Sequence, residues 1–227
     1  MTFLFEDRPS DSSFVKTIWR AQSEDAGSFI SIAATHWEMV VTKYKGKTSF
    51  TVRGPETKAT LLHYQWIGAE WLGIRFKLGA FLPHLPPGHL LDGRDVNLPQ
   101  ASGQSFWFQG SAWEFPTFEN ADTFVERLMR EGLLVRDPVV EVVLQGQQQQ
   151  LSVRAVQYRF LQATGLTHRT VQQIERVRHA LTLLQQGASI PDTVYQAGYF
   201  DQPHLTRALK RFAGQTPAQI ARESKPE

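Results

Sequence analysis

The residues of this chain that could do chemistry lie near its C-terminal end, between Ile190 and Pro217. Apolar residues recur there at three- and four-residue spacing: Leu205, Ala208, Leu209 and Phe212. The spacing predicts a helix with one buried face, and its other faces carry His204, Arg207, Lys210 and Arg211. Such side chains can donate hydrogen bonds to base edges or neutralise phosphates. The chemistry that they favour is noncovalent recognition of DNA.

The elements that must position these side chains are predicted from capping residues. Ser189 stands where an N-cap would stand, and Asp192 follows three residues later, as in a capping box. This helix must end at Gly198, because glycine tolerates the left-handed turn that closes a helix. Asp201 can then cap the next helix. The segment therefore predicts a helix, a tight turn and a second helix, which is the arrangement of a helix-turn-helix unit.

The pattern G-Y-x-D-x-x-x-L-x-R-x-L-K-R-x-x-G-x-T-P, at residues 198–217, resembles the second helix-turn-helix of the AraC/XylS family of bacterial transcription regulators. Tyr199 and Leu209 stand where that family usually has Phe, and Val194 where it usually has Ala, so we expect local differences in packing. The resemblance implies two helix-turn-helix units joined by a long helix, and double-stranded DNA as the partner. It also implies activation of transcription, as in most of the family, with RNA polymerase as a further partner.

A first helix-turn-helix unit is expected before this one, and the segment Leu151–Gly165 supplies its second helix. Ser152 is the predicted N-cap, and the helix resembles the family pattern S-x-R-x-L-x-R-x-F. Tyr158 stands where an Arg is common, and a phenol cannot make a bidentate contact to guanine, so we expect a different base preference. The preceding helix is expected within Pro138–Gly146 and runs into four glutamines, Gln147–Gln150.

A long helix is predicted between the two units. Thr167 can cap it, Gly187 can end it, and apolar residues recur at helical spacing along it: Val171, Ile174, Val177, Leu181 and Leu184. About twenty residues at ~1.5 Å each span ~30 Å, close to the ~34 Å of one DNA turn. One monomer could then place two recognition helices in successive major grooves. The structural alternative is a helical bundle whose apolar stripes are only core.

The resemblance assigns roles to individual residues. The expected base contacts are Arg154, Gln157, Tyr158, Gln202, Pro203, His204 and Arg207, and the expected phosphate contacts are Arg159, Lys210 and Arg211. The residues expected to shape turns and caps are Ser152, Ser189, Gly198 and Asp201. The net charge of the C-terminal part has the sign that DNA binding requires. Residues 136–227 carry eleven Lys or Arg against seven Asp or Glu, while residues 1–135 carry thirteen Lys or Arg against fifteen Asp or Glu. Each charge has the alternative role of a solvated surface group.

The first ~115 residues have a different pattern. Runs rich in β-branched and aromatic residues, at Trp37–Tyr44, Thr48–Arg53, Ala59–Trp66 and Trp71–Lys77, predict a mostly-β sheet or a barrel-like, cupin-like domain. Pro83, Pro86 and Pro87 predict a loop, and Ala121–Arg130 a helix with Phe124 and Leu128 on one side. The wording V-R-G-P…G-I-R-F-K-L-G-A resembles the sensor domains of some family members. The expected class is α+β, with domains at 1–120 and 136–227 and a connecting helix or linker at 121–135.

All six tryptophans lie in the first half of the chain. A small-molecule effector pocket could use them, and the candidate residues are His36, Trp37, Arg53, His63, Gln65, Trp66, Glu70, Trp71 and Arg75. The domain could instead mediate formation of a homodimer. For each residue taken singly, an ordinary place in the core or at an interface is the competing interpretation.

An enzyme, such as a metal-dependent barrel fused to a DNA-binding module, is the alternative class. His84 and His89 are separated by a loop-forming Leu-Pro-Pro-Gly, which does not aim two imidazoles at one ion. No nucleophile elbow or phosphate-binding glycine loop occurs, and the chain has no cysteine. We therefore expect no catalysis, no metal and no cofactor. The sequence shows no secretion signal and no membrane span, which predicts a cytoplasmic protein without membrane contact.

Overall fold

The computed structural model of the chain describes residues 3–147 and 150–223. Its strands are β1 (Phe3–Arg8), β2 (Val15–Ser23), β3 (Gly27–Ser31), β4 (Glu38–Tyr44), β5 (Lys47–Arg53), β6 (Thr60–Tyr64), β7 (Glu70–Phe76), β8 (Ala80–Phe81), β9 (Val96–Leu98), β10 (Gln100–Ser102), β11 (Ser105–Phe108), β12 (Ser111–Glu114) and β13 (Val135–Arg136). Its helices are α1 (Ala121–Arg130), α2 (Pro138–Leu144), α3 (Val153–Thr164), α4 (His168–Gln185), α5 (Ile190–Gln196), α6 (Gln202–Ala213) and α7 (Pro217–Glu223). The predicted order, a mostly-β part followed by a helical part, is confirmed.

The largest sheet is antiparallel and has the strand order β1-β2-β7-β4-β5-β9. Because alternate residues of a strand face the same side, the pairing of Ile74 with both Ile18 and Met39 puts three apolar side chains in one row. All three are buried, and Phe124 and Leu128 of the predicted helix α1 join the same core. The sheet and α1 therefore form a core of the kind that the sequence predicted.

The four predicted strands occur within two residues of their predicted ends, as β4, β5, β6 and β7. Strand β2 was not indicated by the sequence pattern. A β-bulge between Val15 and Thr17 shifts its register against β7, and Trp19 is buried on the other face from Ile18 by packing over Gly73, so that Val15, Ile18 and Trp19 are buried without a strict alternation. A bulge of this kind removes the period of two on which strand prediction depends.

The chain divides into two compact units, and the division does not fall at a single point of the sequence. One unit contains the six-stranded sheet, the remaining small strands from β8 onward and helices α1 to α3. The other contains helices α4 to α7 together with two segments of the first half of the chain, Ser28–Thr35 and Glu56–Leu62. The functional boundaries at 1–120, 121–135 and 136–227 stay a prediction, as does the spacing of the two recognition helices.

The helix α4 confirms the predicted long helix with eighteen residues and with Val171, Ile174, Val177 and Leu184 buried. No described helix combines the length and the apolar character that crossing a membrane requires. Two of the four glutamines, Gln148 and Gln149, lie outside the described residues.

Candidate DNA-recognition helices and candidate effector cavity

Helix α5 begins at the predicted N-cap. The Ser189 side chain accepts a hydrogen bond from the backbone N–H of Asp192 at 3.1 Å, and its hydroxyl donates to the Asp192 carboxylate at 2.5 Å. In a full capping box the third residue would instead bond to the backbone N–H of the cap. The two side chains therefore stabilise the start of α5 by bonding to each other.

The turn after α5 is closed by Gly198, whose φ is 68°. The N–H of Gly198 donates to the carbonyl of Tyr195 at 3.2 Å, and the N–H of Tyr199 donates to the carbonyl of Val194 at 2.9 Å. This pair of bonds is a Schellman motif, which requires a left-handed residue at this position. Apart from its chain neighbours, no described residue has an atom within 4 Å of the place where a Cβ would stand, so the demand for glycine arises from φ.

Helix α6 is the second candidate recognition helix. Asp201 caps it, since its carboxylate accepts from the backbone N–H of His204 at 2.7 Å. Pro203 sits in the first turn, where a missing N–H costs nothing. Leu205, Leu209 and Phe212 are buried. The stripe that the sequence predicted is therefore the packed face of this helix.

The opposite side of α6 is polar and open to solvent. Gln202, Pro203, Arg207, Lys210 and Arg211 are exposed, and His204 is half-buried. Within the described part of the chain, Arg207, Lys210 and Arg211 have no carboxylate at ion-pairing distance. The helix thus presents cationic groups that are not neutralised by neighbours, as an element that binds phosphates and base edges requires.

The sequence did not indicate the role of Tyr199. Its ring is buried and meets the His204 ring edge to face at 5.1 Å, while the Arg176 guanidinium lies 5.8 Å from the ring centre. Burial raises the pKa of the Tyr199 phenol to about 12, and the hydroxyl makes no hydrogen bond to any described residue. The family's usual Phe at this position was the one signal that the ring belongs to an apolar site. Tyr199 therefore supports the first turn of α6 through its ring.

Helix α3 is the first candidate recognition helix. Ser152 caps it by accepting from the N–H of Ala155 at 3.3 Å, and Gly165 ends it with a φ of 71°. A Cβ on Gly165 would stand 2.7 Å from the backbone nitrogen of Gly88, so both conformation and space demand glycine there. Phe160 is buried. These contacts fix the helix to its own compact unit.

The exposed side of α3 carries the three predicted base contacts. Arg154, Gln157 and Tyr158 are all exposed, Tyr158 by 63%. Spacing of three and four residues places them on one face. Leu161, 44% exposed, continues this face, and the sequence analysis did not single it out. The structure therefore brings the predicted set together on one open surface.

Arg159, a predicted phosphate contact, is instead held by a carboxylate. Its Nε donates to Asp137 Oδ2 at 2.9 Å, and its Nη2 donates to Asp137 Oδ1 at 2.8 Å. The hydrogen bonds with Asp137 raise the pKa of the Arg159 guanidinium above its usual value. Asp137 also caps α2 by accepting from the N–H of Val139 at 2.9 Å. In this structure, Arg159 joins α2 to α3, and its phosphate role stays a prediction.

A cavity of about 670 Å³ lies at one end of the six-stranded sheet. Val41 and Leu72, which pair across β4 and β7, line its apolar part. Two residues along each strand, and so on the same face of the sheet, Glu70 pairs with both Gln22 and Lys43, which gives a polar row across three strands. The volume lies in the ordinary range for small-molecule sites.

A second charged group at the cavity is already paired within the protein. The Nε of Arg20 donates to Glu6 Oε2 at 2.7 Å, its Nη1 lies 3.7 Å from Glu119, and its guanidinium lies 4.5 Å from the centre of the Phe118 ring. All four residues line the cavity. The charge of Arg20 is therefore balanced locally by Glu6, separately from the polar row of Gln22, Glu70 and Lys43.

Only two of the predicted pocket residues, Glu70 and Trp71, line this cavity. The seven that do not are His36, Trp37, Arg53, His63, Gln65, Trp66 and Arg75. Trp37 is a core residue, because its ring stacks on Phe76 at 4.0 Å and its Nε1 donates to the Ala80 carbonyl at 2.6 Å.

Strand alternation and exposure explain the other exclusions. Arg53 and Arg75 both pair in register with Glu38, on the face opposite to Val41 and Leu72, and Arg75 donates to Glu38 at 3.1 Å. His63, Gln65 and Trp66 are exposed, and His36 is half-buried outside the cavity lining. Of the predicted tryptophans, only Trp71 lies at the wall of this cavity, and the effector pocket itself stays a prediction.

Comparison with known proteins gives one match to a family model. Residues 147–223 match the model of a helix-turn-helix domain, a segment that contains α3 to α7. A search of curated proteins gives no match. No group of three or more His, Asp or Glu side chains that could hold a metal ion occurs among the described residues.

Among solved structures, the chain is similar to ToxT of Vibrio cholerae. The apo K231A protein of strain SCE256 shares 10% identity, with 96% of this chain and 100% of that chain covered and a TM-score of 0.41. ToxT of strain O395 shares 9% identity, with 98% of this chain and 99% of that chain covered and a TM-score of 0.40. ToxT of strain O395 bound to (E)-4-(8-methylnaphthalen-1-yl)but-3-enoic acid shares 10% identity, with 97% of this chain and 99% of that chain covered and a TM-score of 0.37.

Proposed function

We propose that the chain is a DNA-binding transcription regulator of the AraC type and that its helices α3 and α6 read base edges in the major groove, because residues 147–223 match the model of a helix-turn-helix domain. The observation that carries the proposal is the division of α6 into a buried apolar face and an exposed cationic face without internal ion pairs. The matched family is one of DNA-binding domains, so the metal-dependent enzyme receives no support from it.

The proposed roles follow the exposure of the side chains. Arg154, Gln157 and Tyr158 contact bases from α3, and Gln202, Pro203, His204 and Arg207 do so from the start of α6. Lys210 and Arg211 contact phosphates from the last turn of α6. In the second helix-turn-helix, Ser189 caps the start of α5 and Asp201 caps the start of α6, on either side of the turn that joins the two helices.

Sequence-specific binding is tested by selecting duplexes from a random library with the purified full-length protein. The proposal expects a recurrent sequence whose affinity exceeds that of random duplex by about 10³-fold or more at physiological salt. Affinities must be compared at one salt concentration, because phosphate contacts make both depend on salt. A library that gives no recurrent sequence, or a protein that binds all duplexes alike, contradicts the proposal.

We further propose that the cavity at the end of the sheet binds a small-molecule effector. Lys43, Gln22 and Glu70 supply donors and acceptors, and Val41 and Leu72 supply an apolar wall. This lining suits a polar compound with a compact apolar part. Activation of transcription through RNA polymerase, and formation of a homodimer, complete the proposal as expectations from the family.

The effector site has its own test. Metabolites are screened by thermal shift and by tryptophan fluorescence, with Trp71→Phe compared to Trp37→Phe. A compound in the cavity changes the emission of Trp71 and loses that signal in Trp71→Phe, whereas Trp37→Phe keeps it because Trp37 is buried elsewhere in the core. The same compound must change DNA affinity, since a ligand with equal affinity for both states shifts neither. A compound that binds without changing DNA affinity contradicts a sensor role for the cavity.

A further inference from the structure

Two segments from the first half of the chain, Ser28–Thr35 and Glu56–Leu62, belong to the same compact unit as α4 to α7. We refer to them together as the clasp. Ala34 and Glu56 exchange two backbone hydrogen bonds of 3.0 Å each, and the Ser31 hydroxyl donates to Glu56 Oε2 at 2.6 Å. The strands β3 and β6, which overlap these segments, also pair with each other. The two segments of the clasp are therefore joined to each other by hydrogen bonds.

The clasp supplies hydrogen-bond donors to the end of α6. The N–H of Ala33 donates to the carbonyl of Phe212 at 2.8 Å, and the N–H of Ala59 donates to the carbonyl of Arg211 at 2.8 Å. Carbonyls in the last turn of a helix have no partner within the helix. A helix end usually leaves such groups to water or to a local capping motif, and here two backbone donors distant in sequence take them.

Side chains and α4 reinforce this contact. Gly214, with a φ of 74°, ends α6, and a Cβ there would lie 2.9 Å from Ile30 Cγ2 and 3.2 Å from Ala59 Cβ. On the other side, Arg178 of α4 donates to the Ala33 carbonyl at 3.3 Å. Ala33 thus bonds to α6 through its N–H and to α4 through its carbonyl. The clasp holds both helices at one point.

We infer that the clasp is a positioning element of the second recognition helix, so that the DNA-binding unit includes residues outside 147–223. The inference rests on the proposed function of α6. The clasp bonds to Arg211 and Phe212, one residue after Lys210 and at the end of the helix opposite to His204. Because a twelve-residue helix is a stiff rod of about 18 Å, the placement of its last turn sets the placement of its first.

The clasp is also continuous with the strands that line the cavity. Strand β2, which contributes Gln22 to the cavity, ends at Ser23, and the first clasp segment begins at Ser28. The second segment ends at Leu62, and β7 begins with the cavity residue Glu70. Residues 24–27 and 63–69 therefore connect the clasp to the strands that carry Gln22 and Glu70.

The test removes one backbone donor of the clasp, with a control substitution at the same position that keeps it. Ala59→Pro deletes the N–H that bonds to Arg211, and Ala59→Ser keeps it. The affinity for a selected duplex and for a random duplex is measured with the full-length protein, together with the melting temperature and amide hydrogen exchange of α6. Loss of one such bond corresponds to about five- to ten-fold in an equilibrium constant.

The expected result is a selected-duplex affinity about five-fold lower or worse for Ala59→Pro, faster exchange in the last turn of α6, and little change for random duplex. Ala59→Ser should match the wild type. A second pair covers the case in which proline prevents folding. Arg178→Ala should show the same pattern, and Arg178→Lys, which can still donate to the Ala33 carbonyl, should restore affinity.

Wild-type affinity for the selected duplex in Ala59→Pro and Arg178→Ala, measured well below their melting temperatures, would overturn the inference. So would a loss shared equally by Arg178→Ala and Arg178→Lys, because that loss would follow the substitution and not the bond. The variant Arg207→Ala distinguishes failure of the clasp inference from failure of the proposed role of α6. If Arg207→Ala weakens specific binding while the clasp variants do not, the clasp inference fails alone; if none of them matters, the proposed role of α6 fails.

Discussion

Asp137 holds Arg159 with two hydrogen bonds, of 2.8 and 2.9 Å, while its own carboxylate also caps α2. One carboxylate thereby joins helix α2 to the candidate recognition helix α3. The relationship joins residues that are twenty-two positions apart. It also gives Arg159 a partner that competes with any phosphate.

The two functions of Asp137 can be separated by substitution. Asp137→Ser keeps a capping oxygen for α2 but releases Arg159, whereas Asp137→Ala removes both functions and should cost about 1 kcal/mol more in unfolding free energy. If released Arg159 reaches a phosphate, the slope of log affinity against log salt should become steeper by about one unit in Asp137→Ser. Denaturant unfolding and salt titrations of DNA binding measure the two effects. An unchanged slope would assign Arg159 to helix packing only.

The left-handed glycines of the two units should respond differently to substitution. Gly198→Ala meets only the cost of φ 68°, about 1 kcal/mol, because no described residue beyond its chain neighbours lies near the new Cβ. Gly165→Ala meets the same cost and also a 2.7 Å approach to the backbone of Gly88. Urea unfolding of both variants should therefore show the larger loss for Gly165→Ala. Equal losses would mean that the backbone at Gly88 yields freely.

Tyr158 should determine one position of the bound sequence. Tyr158→Arg offers two parallel N–H donors where the phenol offers one, and should shift the preferred base at that position to guanine by about 1–3 kcal/mol. Tyr158→Phe keeps the ring and should relax preference without favouring guanine. Selection from a random library with each variant reads both outcomes. A selected sequence identical for all three proteins would place Tyr158 away from base edges.

Tyr199→Phe should stabilise the fold slightly. The hydroxyl is buried without a partner among the described residues, so its removal relieves up to about 1 kcal/mol of desolvation. Its folded pKa, about 12, lies above the unfolded value of about 10, so the native state keeps the proton longer and stability falls as pH rises from about 10 to about 12. Urea unfolding across this range should show a steeper loss for the wild type than for Tyr199→Phe. Parallel losses would indicate that Tyr199 titrates normally.

Local signals of the sequence located the helices well because caps act over three or four residues. Ser152, Ser189 and Asp201 accept the capping bonds that their positions suggest, and Gly198 has the left-handed turn. These interactions depend on adjacent residues alone. The start of each candidate recognition helix could therefore be predicted without knowledge of the tertiary structure.

Contacts between distant parts of the chain were not readable in the same way. The bond from Ala33 to Phe212 and the pair of Asp137 with Arg159 depend on how strands and helices are brought together. Most residues that line the cavity were not singled out for a related reason, because Arg75 and Leu72 lie on one strand but face opposite sides of the sheet. The sequence shows that the tryptophans lie in the N-terminal half of the chain, but only the strand register shows which of them lines the cavity.

The central claim, that α6 reads DNA sequence, is tested most directly by the ratio of affinities for selected and random duplex in Arg207→Ala. Arg207 is exposed and has no carboxylate partner among the described residues, so its loss does not disturb packing. We predict a loss of about 1–3 kcal/mol on the selected duplex and a much smaller loss on random duplex. An equal loss on both would contradict the claim and make Arg207 a phosphate contact.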